Sequence, residues 1–320
     1  MRPPGFWQHD GVLPRLLWPM SLVYAAATAR RMRRVGWTAP VPVICCGGVT
    51  AGGAGKTPLA LDLGARLIER GVKIAFLSRG YGRRATGAWR VEGRDDAERA
   101  GDEPLLLAQL APTFVDADRV RAARAAIASG AELLVMDDGL QNPGLAKTLS
   151  ILTVDGDSGF GNRRVIPAGP LREPVPAAAR RCKAVVVIGG PAAGAAPKRQ
   201  LFAGLPVLRA RLVPEPAPGL NGRRVIAFAG IARPEKFFAS VREVGGEPLA
   251  CRKFPDHHRY RRSELADLLG QATRADAVLV TTAKDAVRLP PDFWPHATVL
   301  KVRLAWDDPS APDQLLRNLP

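Results

Sequence analysis

The chain has 320 residues, 47% hydrophobic and 24% charged, a balance that excludes wholesale disorder and a polytopic membrane protein and allows one large or two modest domains. Its 46 lysines and arginines against 30 acidic residues leave a formal net charge of +16, which calls for a polyanionic partner: nucleic acid, anionic lipid or a phosphorylated substrate. Four cysteines, at 45, 46, 182 and 251, include no C-x-x-C pair and read as packing thiols in a reducing compartment.

The first element is a helix within residues 1–36. Leu16–Ala29 carries no charge but is interrupted by Pro19 and closed by Arg30, Arg31, Arg33 and Arg34, and it falls short of the roughly 18–20 apolar residues of a spanning helix. Ala25-Ala26-Ala27 could pass for a signal-peptide cleavage site, but Arg15 and Pro19 break the apolar region such a peptide needs. Leu13, Leu16, Leu17, Met20 and Tyr24 recur at helical spacing. That pattern fits a helix lying in a membrane interface, and it fits equally an amphipathic helix packed on its own domain.

Residues 37–190 alternate short apolar runs with helical stretches. Val41–Cys46, Lys73–Leu77, Phe114–Asp116, Leu133–Met136 and Ile151–Val154 read as strands, with helices over Lys56–Arg70, Pro104–Ala111 and Val120–Ser129. Continuous apolar strands joined by helices predict an α/β fold with a mostly parallel sheet covered on both faces. Residues 191–222, rich in Pro, Ala and Gly, read as a linker in which only Leu205–Leu212 looks strand-like. A smaller α/β domain follows over 223–305, with strands Val225–Ala229, Ala277–Thr281 and Val299–Val302 and helices Pro234–Val244 and Ser263–Thr273. Residues 306–320 read as a tail.

The strand Val41–Cys46 runs into G-G-V-T-A-G-G-A-G-K-T, residues 47–57, and then a helix. This is the context of a P-loop: Gly52, Gly53 and Gly55 let backbone N–H groups turn toward phosphate, Lys56 neutralises the β- and γ-phosphates, and Thr57 ligates Mg²⁺. Thr50 stands where the strict pattern has glycine. Glu132–Gln141 is an apolar strand ending in Asp137 and Asp138, which a parallel sheet would deliver to the same ligand edge as a Walker B pair on the metal.

Three more segments carry chemistry. Ser78-Arg79-Gly80-Tyr81-Gly82 puts an arginine between flexible glycines at a strand end. Gly101-Asp102-Glu103-Pro104 opens a helix with two carboxylates, which could equally be an ordinary cap. Asn162–Pro174 is a prolyl loop with three arginines and Glu173; arginine forks suit phosphate and sugar hydroxyls, and a solvated basic loop is the bland alternative. In the second half, Phe254–Tyr260 holds two of the four histidines, His257 and His258, and Thr281–Asp285 loosely resembles a base-recognition loop.

In this combination and order, T-A-G-G-A-G-K-T-P, S-R-G-Y-G, G-D-E-P, D-D-G-L-Q, P-A-G-P-L-R-E-P, F-P-D-H-H-R-Y and T-A-K-D-A-V, the chain resembles the tetraacyldisaccharide 4′-kinase family of Gram-negative bacteria over nearly its whole length. The resemblance implies a membrane-attached P-loop kinase that uses ATP and Mg²⁺ to phosphorylate the 4′-hydroxyl of a lipid-linked glucosamine disaccharide 1-phosphate. It implies Lys56 and Thr57 on ATP·Mg²⁺, Asp137 and Asp138 on the metal, Asp102 as base with His257 supporting it, and Arg79, Asn162, Arg172 and Glu173 toward the substrate. The expected location is the cytoplasmic face of the inner membrane, with neither nucleic acid nor a protein partner implied. Asn142 departs from the family, which usually has histidine there. Two other readings fit parts of the sequence: a GTPase or metallochaperone-type protein, for which T-A-K-D imperfectly matches N-K-x-D, and a nucleic-acid-dependent ATPase using the +16 charge. The latter lacks a recognised binding motif, and aromatics make up only 6% of the chain, few for base stacking.

Overall fold

The computed structural model describes residues 4–80, 87–92, 95–190, 199–202, 204–317 and 319; Tyr81 and Gly82 of the S-R-G-Y-G segment and residues 191–198 of the expected linker lie outside them. In chain order, α1 (Val12–Met32) precedes β1 (Val43–Gly47), α2 (Lys56–Glu69), β2 (Ile74–Ser78), β3 (Trp89–Arg90), α3 (Ala97–Ala100), α4 (Asp102–Ala108), β4 (Thr113–Val115) and α5 (Arg119–Ala128). Next are β5 (Leu133–Asp137), β6 (Leu149–Asp155), α6 (Val175–Ala179), β7 (Ala184–Ile188), β8 (Val207–Pro214), β9 (Arg224–Ala229) and α7 (Pro234–Glu243). The chain closes with β10 (Glu247–Lys253), α8 (Arg262–Arg274), β11 (Val278–Thr282), α9 (Ala283–Ala286), β12 (Ala297–Leu300), β13 (Val302–Trp306) and α10 (Ala311–Leu316).

These elements divide into a larger unit, 3–95, 99–211 and 304–320, and a smaller one made chiefly of 212–303. The larger unit is built on a nine-stranded sheet in the order β13-β8-β7-β6-β1-β5-β2-β4-β3. Pairing is parallel from β8 through β4, and β3 joins β4 antiparallel. Strands β1, β5 and β7 are buried on both faces, as a parallel sheet with covered faces requires. Alternate residues supply two cores: Cys45, Leu77, Met136 and Val187 face the alanines of α5 and α6, while Ile44, Phe76, Val135 and Ile188 face Leu59, Leu63 and Leu67 of α2. After β1 the chain builds outward on one side through β2, β4 and β5, then crosses to β6 on the other. That reversal opens a crevice at the carboxyl ends of β1 and its neighbours, where α/β folds bind ligands.

The smaller unit has a four-stranded parallel sheet, β10-β9-β11-β12. Phe237, Phe238 and Val241 of α7 cover one face, and Leu265, Leu268 and Ala272 of α8 the other.

Several boundaries differ from the sequence expectations. β7 and β10 were not anticipated, and Val299–Val302 covers parts of two strands, β12 and β13, which belong to different sheets. The segment 191–222 is more than a linker: its β8 pairs with β7 inside the large sheet, Val185 opposite Val207. Nor are residues 306–320 a loose tail, because Trp306 and Leu316 are buried in the α2-side core. Trp306 Nε1 donates to Asp62 of α2 at 3.0 Å, and Arg70 pairs with Asp313 at 2.6 Å.

Helix α1 is apolar on the wrong side for a helix packed on its own domain. At 3.6 residues per turn, Val12, Leu13, Leu16, Met20, Val23 and Tyr24 fall on an arc of about 120°, and all are exposed, Leu16 by 70% and Val23 by 71%. The buried stripe is Pro14, Ser21 and Thr28, small residues seven apart. Ser21 Oγ donates to the Val165 carbonyl at 2.7 Å and accepts from the Ala168 N–H at 3.1 Å, which ties the helix to the prolyl loop. No helix among the described residues is long and apolar enough to cross a membrane.

Candidate active site

The loop after β1 enters α2 through Gly55, whose φ of 77° is left-handed and therefore suits glycine. A Cβ there would also come within 2.7 Å of Ile188 on β7, whereas Gly52 and Gly53 face open space. Lys56 and Thr57 thus begin α2 with the helix N-terminus directed at the loop, the electropositive arrangement that receives phosphate.

β5 is hydrogen-bonded beside β1, Cys46 opposite Asp137, and this register carries both carboxylates to the P-loop. They meet different surroundings. Asp137, 3% exposed, accepts from Thr57 Oγ1 at 2.8 Å through Oδ2, while its buried Oδ1 has no hydrogen-bond partner. Burial and the neighbouring Asp138 charge push its carboxyl up to about 7, with Thr57 and Lys56 acting in the opposite sense. Asp138, at φ 51°, meets Lys56 Nζ at 2.9 Å and Arg172 Nη1 at 2.8 and 2.9 Å. Burial opposes its charge, but Lys56 and Arg172 prevail and hold it below the usual carboxylate range. An orphaned carboxylate oxygen beside a P-loop threonine fits a hard divalent cation such as Mg²⁺, which takes few carboxylates and completes its shell with water and phosphate oxygens. Asp138 instead anchors two cations.

The prolyl loop divides in the same manner. Arg172 enters the cluster. Glu173 is 2% exposed and held by Arg181 at 2.7 Å; it accepts from Gln141 Nε2 at 2.9 Å, and that amide also donates to the Gly48 carbonyl. It therefore braces Gln141 against the P-loop, which corrects the expectation that it faces substrate. Asn162 is likewise structural: its amide donates to the Ala168 carbonyl at 2.8 Å and to Phe6, and its oxygen accepts from Arg164 N–H. Gln141 and Arg181 went unassigned in the sequence, although D-D-G-L-Q contains the first.

Asp102 begins α4 after Gly101 at φ 90° and is buried; α4 packs against α2, β2 and β4. The charge of Glu103 contributes to raising Asp137, so it too belongs to this neighbourhood. Arg79 follows β2 at the same sheet edge and is exposed. Arg119, which the sequence did not single out, opens α5 almost fully buried, donating to the Asp116 carbonyl while its Nε has no hydrogen-bond partner. Burial and the charge of Arg79 lower it to about 10.

His257 lies in the smaller unit and Asp102 in the larger. His258 is structural, stacked on Phe254 at 4.7 Å and joined to Glu264 at 2.9 Å. Asp285 of T-A-K-D is fully buried and paired with Arg288 at 3.1 Å, so it is not presented to a guanine base as N-K-x-D requires.

A family model described as tetraacyldisaccharide-1-P 4′-kinase matches residues 13–320. Among curated proteins, a tetraacyldisaccharide 4′-kinase of Gluconacetobacter diazotrophicus is 55% identical, covering 99% of this chain and 97% of that protein. One of Rhodospirillum centenum is 50% identical, covering 100% and 97%. Among solved structures, LpxK from Aquifex aeolicus in complex with ATP aligns with a TM-score of 0.75 at 26% identity, covering 96% of this chain and 99% of that one.

Proposed function

The chain belongs to the tetraacyldisaccharide-1-P 4′-kinase family, and we propose how its residues divide the work of that reaction. The activity is ATP-dependent phosphorylation of the 4′-hydroxyl of a tetraacylated disaccharide 1-phosphate in lipid A synthesis. Lys56 and the P-loop backbone position the triphosphate and neutralise charge that grows on its oxygens, the main source of catalysis in phosphoryl transfer. Thr57 and Asp137 would hold Mg²⁺, which supplies charge neutralisation and orients the phosphates. Asp138 fixes Lys56 and Arg172 side by side, so that two cations face the transferring group from set positions.

A sugar hydroxyl is a poor nucleophile at neutral pH, and a carboxylate must accept its proton as the new P–O bond forms. Asp102 takes that role at the first position of α4, and His257 of the smaller unit supports it. Arg79 is assigned to the acceptor's anionic groups. Helix α1 lies on the cytoplasmic face of the inner membrane, apolar arc inward and arginine cluster on anionic headgroups.

The observation that carries this reading is the convergence of Lys56 and Arg172 on Asp138 beside the Thr57–Asp137 pair. Purified protein with ATP·Mg²⁺ and the dephospho lipid disaccharide in micelles should yield the phosphorylated lipid by mass spectrometry. Lys56→Ala should abolish nearly all turnover while the circular dichroism spectrum is kept; wild-type turnover in that variant would rule the assignment out.

A further inference from the structure

Tyr260, Thr282 and Arg288 gather around the fully buried Asp285 in the smaller unit, a knot that the steps above leave without a role. Strands β9, β10 and β11 run parallel, so the segments that follow them, beginning at Gly230, Phe254 and Ala283, emerge at one sheet edge. Asp285 joins all three. Its Oδ1 accepts from the Gly230 N–H at 2.9 Å, from Tyr260 OH at 2.8 Å and from Arg288 at 3.1 Å; its Oδ2 accepts from Thr282 Oγ1 at 2.6 Å. Arg288 Nη1 also donates to the Gly230 carbonyl at 2.8 Å. The Gly230 peptide is therefore gripped at both ends by one ion pair, and a Cβ at Gly230 would come within 3.0 Å of His258 Cβ and of the Pro255 carbonyl.

The same Gly230 carbonyl accepts from the His257 N–H at 3.1 Å, and His257 has a φ of 58°. A left-handed conformation at a residue with a side chain persists where its surroundings over-determine it. Here the surroundings are the Gly230 carbonyl on one side and, on the other, His258 wedged between Phe254 and Tyr260 and bonded to Glu264. The His257 side chain is exposed, with its Nε2 3.8 Å from Asp256 Oδ2. A fully buried carboxylate that gathers an arginine, a hydroxyl and a phenol is a large commitment of polar groups for a four-stranded sheet that already has apolar cores on both faces.

We infer that Asp285 and Tyr260 are positioning residues for the reaction: through the Gly230 peptide they fix the turn that aims His257. This rests on the proposed part of His257 in phosphoryl transfer. The side chains themselves touch no reacting atom; their effect is on where the imidazole stands, and misplacement by about 1 Å can reduce a rate by on the order of 100-fold.

The test is a double-mutant cycle on the full chain, with kcat and KM for ATP measured in the micelle assay and thermal unfolding measured alongside. Tyr260→Phe removes one hydroxyl and keeps the ring; Asp285→Asn removes the charge. Each should lower kcat about 10-fold or more, leaving KM for ATP within about twofold, and neither should lower kcat further in a His257→Ala background, because groups that act as one unit are not additive. If Asp285→Asn fails to fold, Tyr260→Phe decides alone. Wild-type kcat in a Tyr260→Phe protein that merely melts earlier, or losses that multiply with His257→Ala, would overturn the positioning role while leaving His257 in place. Wild-type kcat in His257→Ala would overturn the His257 assignment and the inference together.

Discussion

Asp137 and Asp138 are adjacent in sequence and opposite in circumstance, so substituting them one at a time should produce different kinetics. Asp137→Asn removes charge where an oxygen has no protein partner, and it should raise the Mg²⁺ concentration for half-maximal rate by about 10-fold or more, with saturating metal restoring much of the activity. Asp138→Asn releases Lys56 and Arg172 and should lower kcat by about 100-fold at every Mg²⁺ concentration, a loss typical of misplaced electrostatic groups. Initial rates against Mg²⁺ at saturating ATP separate the two; an exchanged pattern would reverse the assignments. The identities of Lys56, Thr57 and both aspartates were legible because a P-loop and a strand ending in carboxylates are local patterns. Their division of labour was not, because it depends on Arg172 arriving from a loop 34 residues away. The surroundings of Glu173, expected toward the substrate, were hidden for a related reason: its partners Arg181 and Gln141 are 8 and 32 residues away.

Among the elements, the strands of the large sheet were legible where apolar runs were bounded by turns, as at Val43–Gly47 and Leu133–Asp137. β7 was missed although Ala184–Ile188 is wholly apolar, because Arg180, Arg181 and a Pro/Ala/Gly-rich stretch flank it and no helical period follows. β10 was missed because its residues are mostly half-exposed or exposed, which leaves a polar, edge-like pattern with little periodicity. Helix α1 was legible as a helix, but its orientation was not: Ser21 can sit in the buried stripe because the prolyl loop offers it a carbonyl and an N–H. If its apolar arc is the membrane-facing surface, Leu16→Glu with Val23→Glu should lower partitioning onto anionic liposomes by more than about 10-fold, given about 1.5–3 kcal/mol for each large apolar side chain withdrawn from water. Neutralising Arg30, Arg31, Arg33 and Arg34 should remove chiefly the salt-sensitive part, about 1 kcal/mol per basic residue. Co-sedimentation at low and high salt measures both; binding unchanged by the two glutamates would show that the arc has another purpose.

For the molecule as a whole, the main stretch of the smaller unit, 212–303, is entered through β8 and left through β13, neighbouring strands of the large sheet. The C-terminal residues therefore contribute to the stability of the kinase core. Leu316→Ala should destabilise the chain by about 2–5 kcal/mol, the range for a buried leucine, and removal of residues 306–320 should lower the unfolding temperature further by uncovering Leu304 and the outer face of α2. Differential scanning calorimetry reads both, and a truncated chain that melts with the full one would show these contacts to be dispensable. The bond from Ser21 to the prolyl loop acts over a longer range, because helix α1 is fastened to the loop that supplies Arg172. If the exposed apolar arc of α1 rests on a bilayer, the enzyme meets its amphiphilic acceptor in two dimensions. Its rate should follow the mole fraction of acceptor among the surface lipids and fall when inert detergent is added at constant bulk acceptor, a surface dilution that no change in the volume of the solution would reproduce.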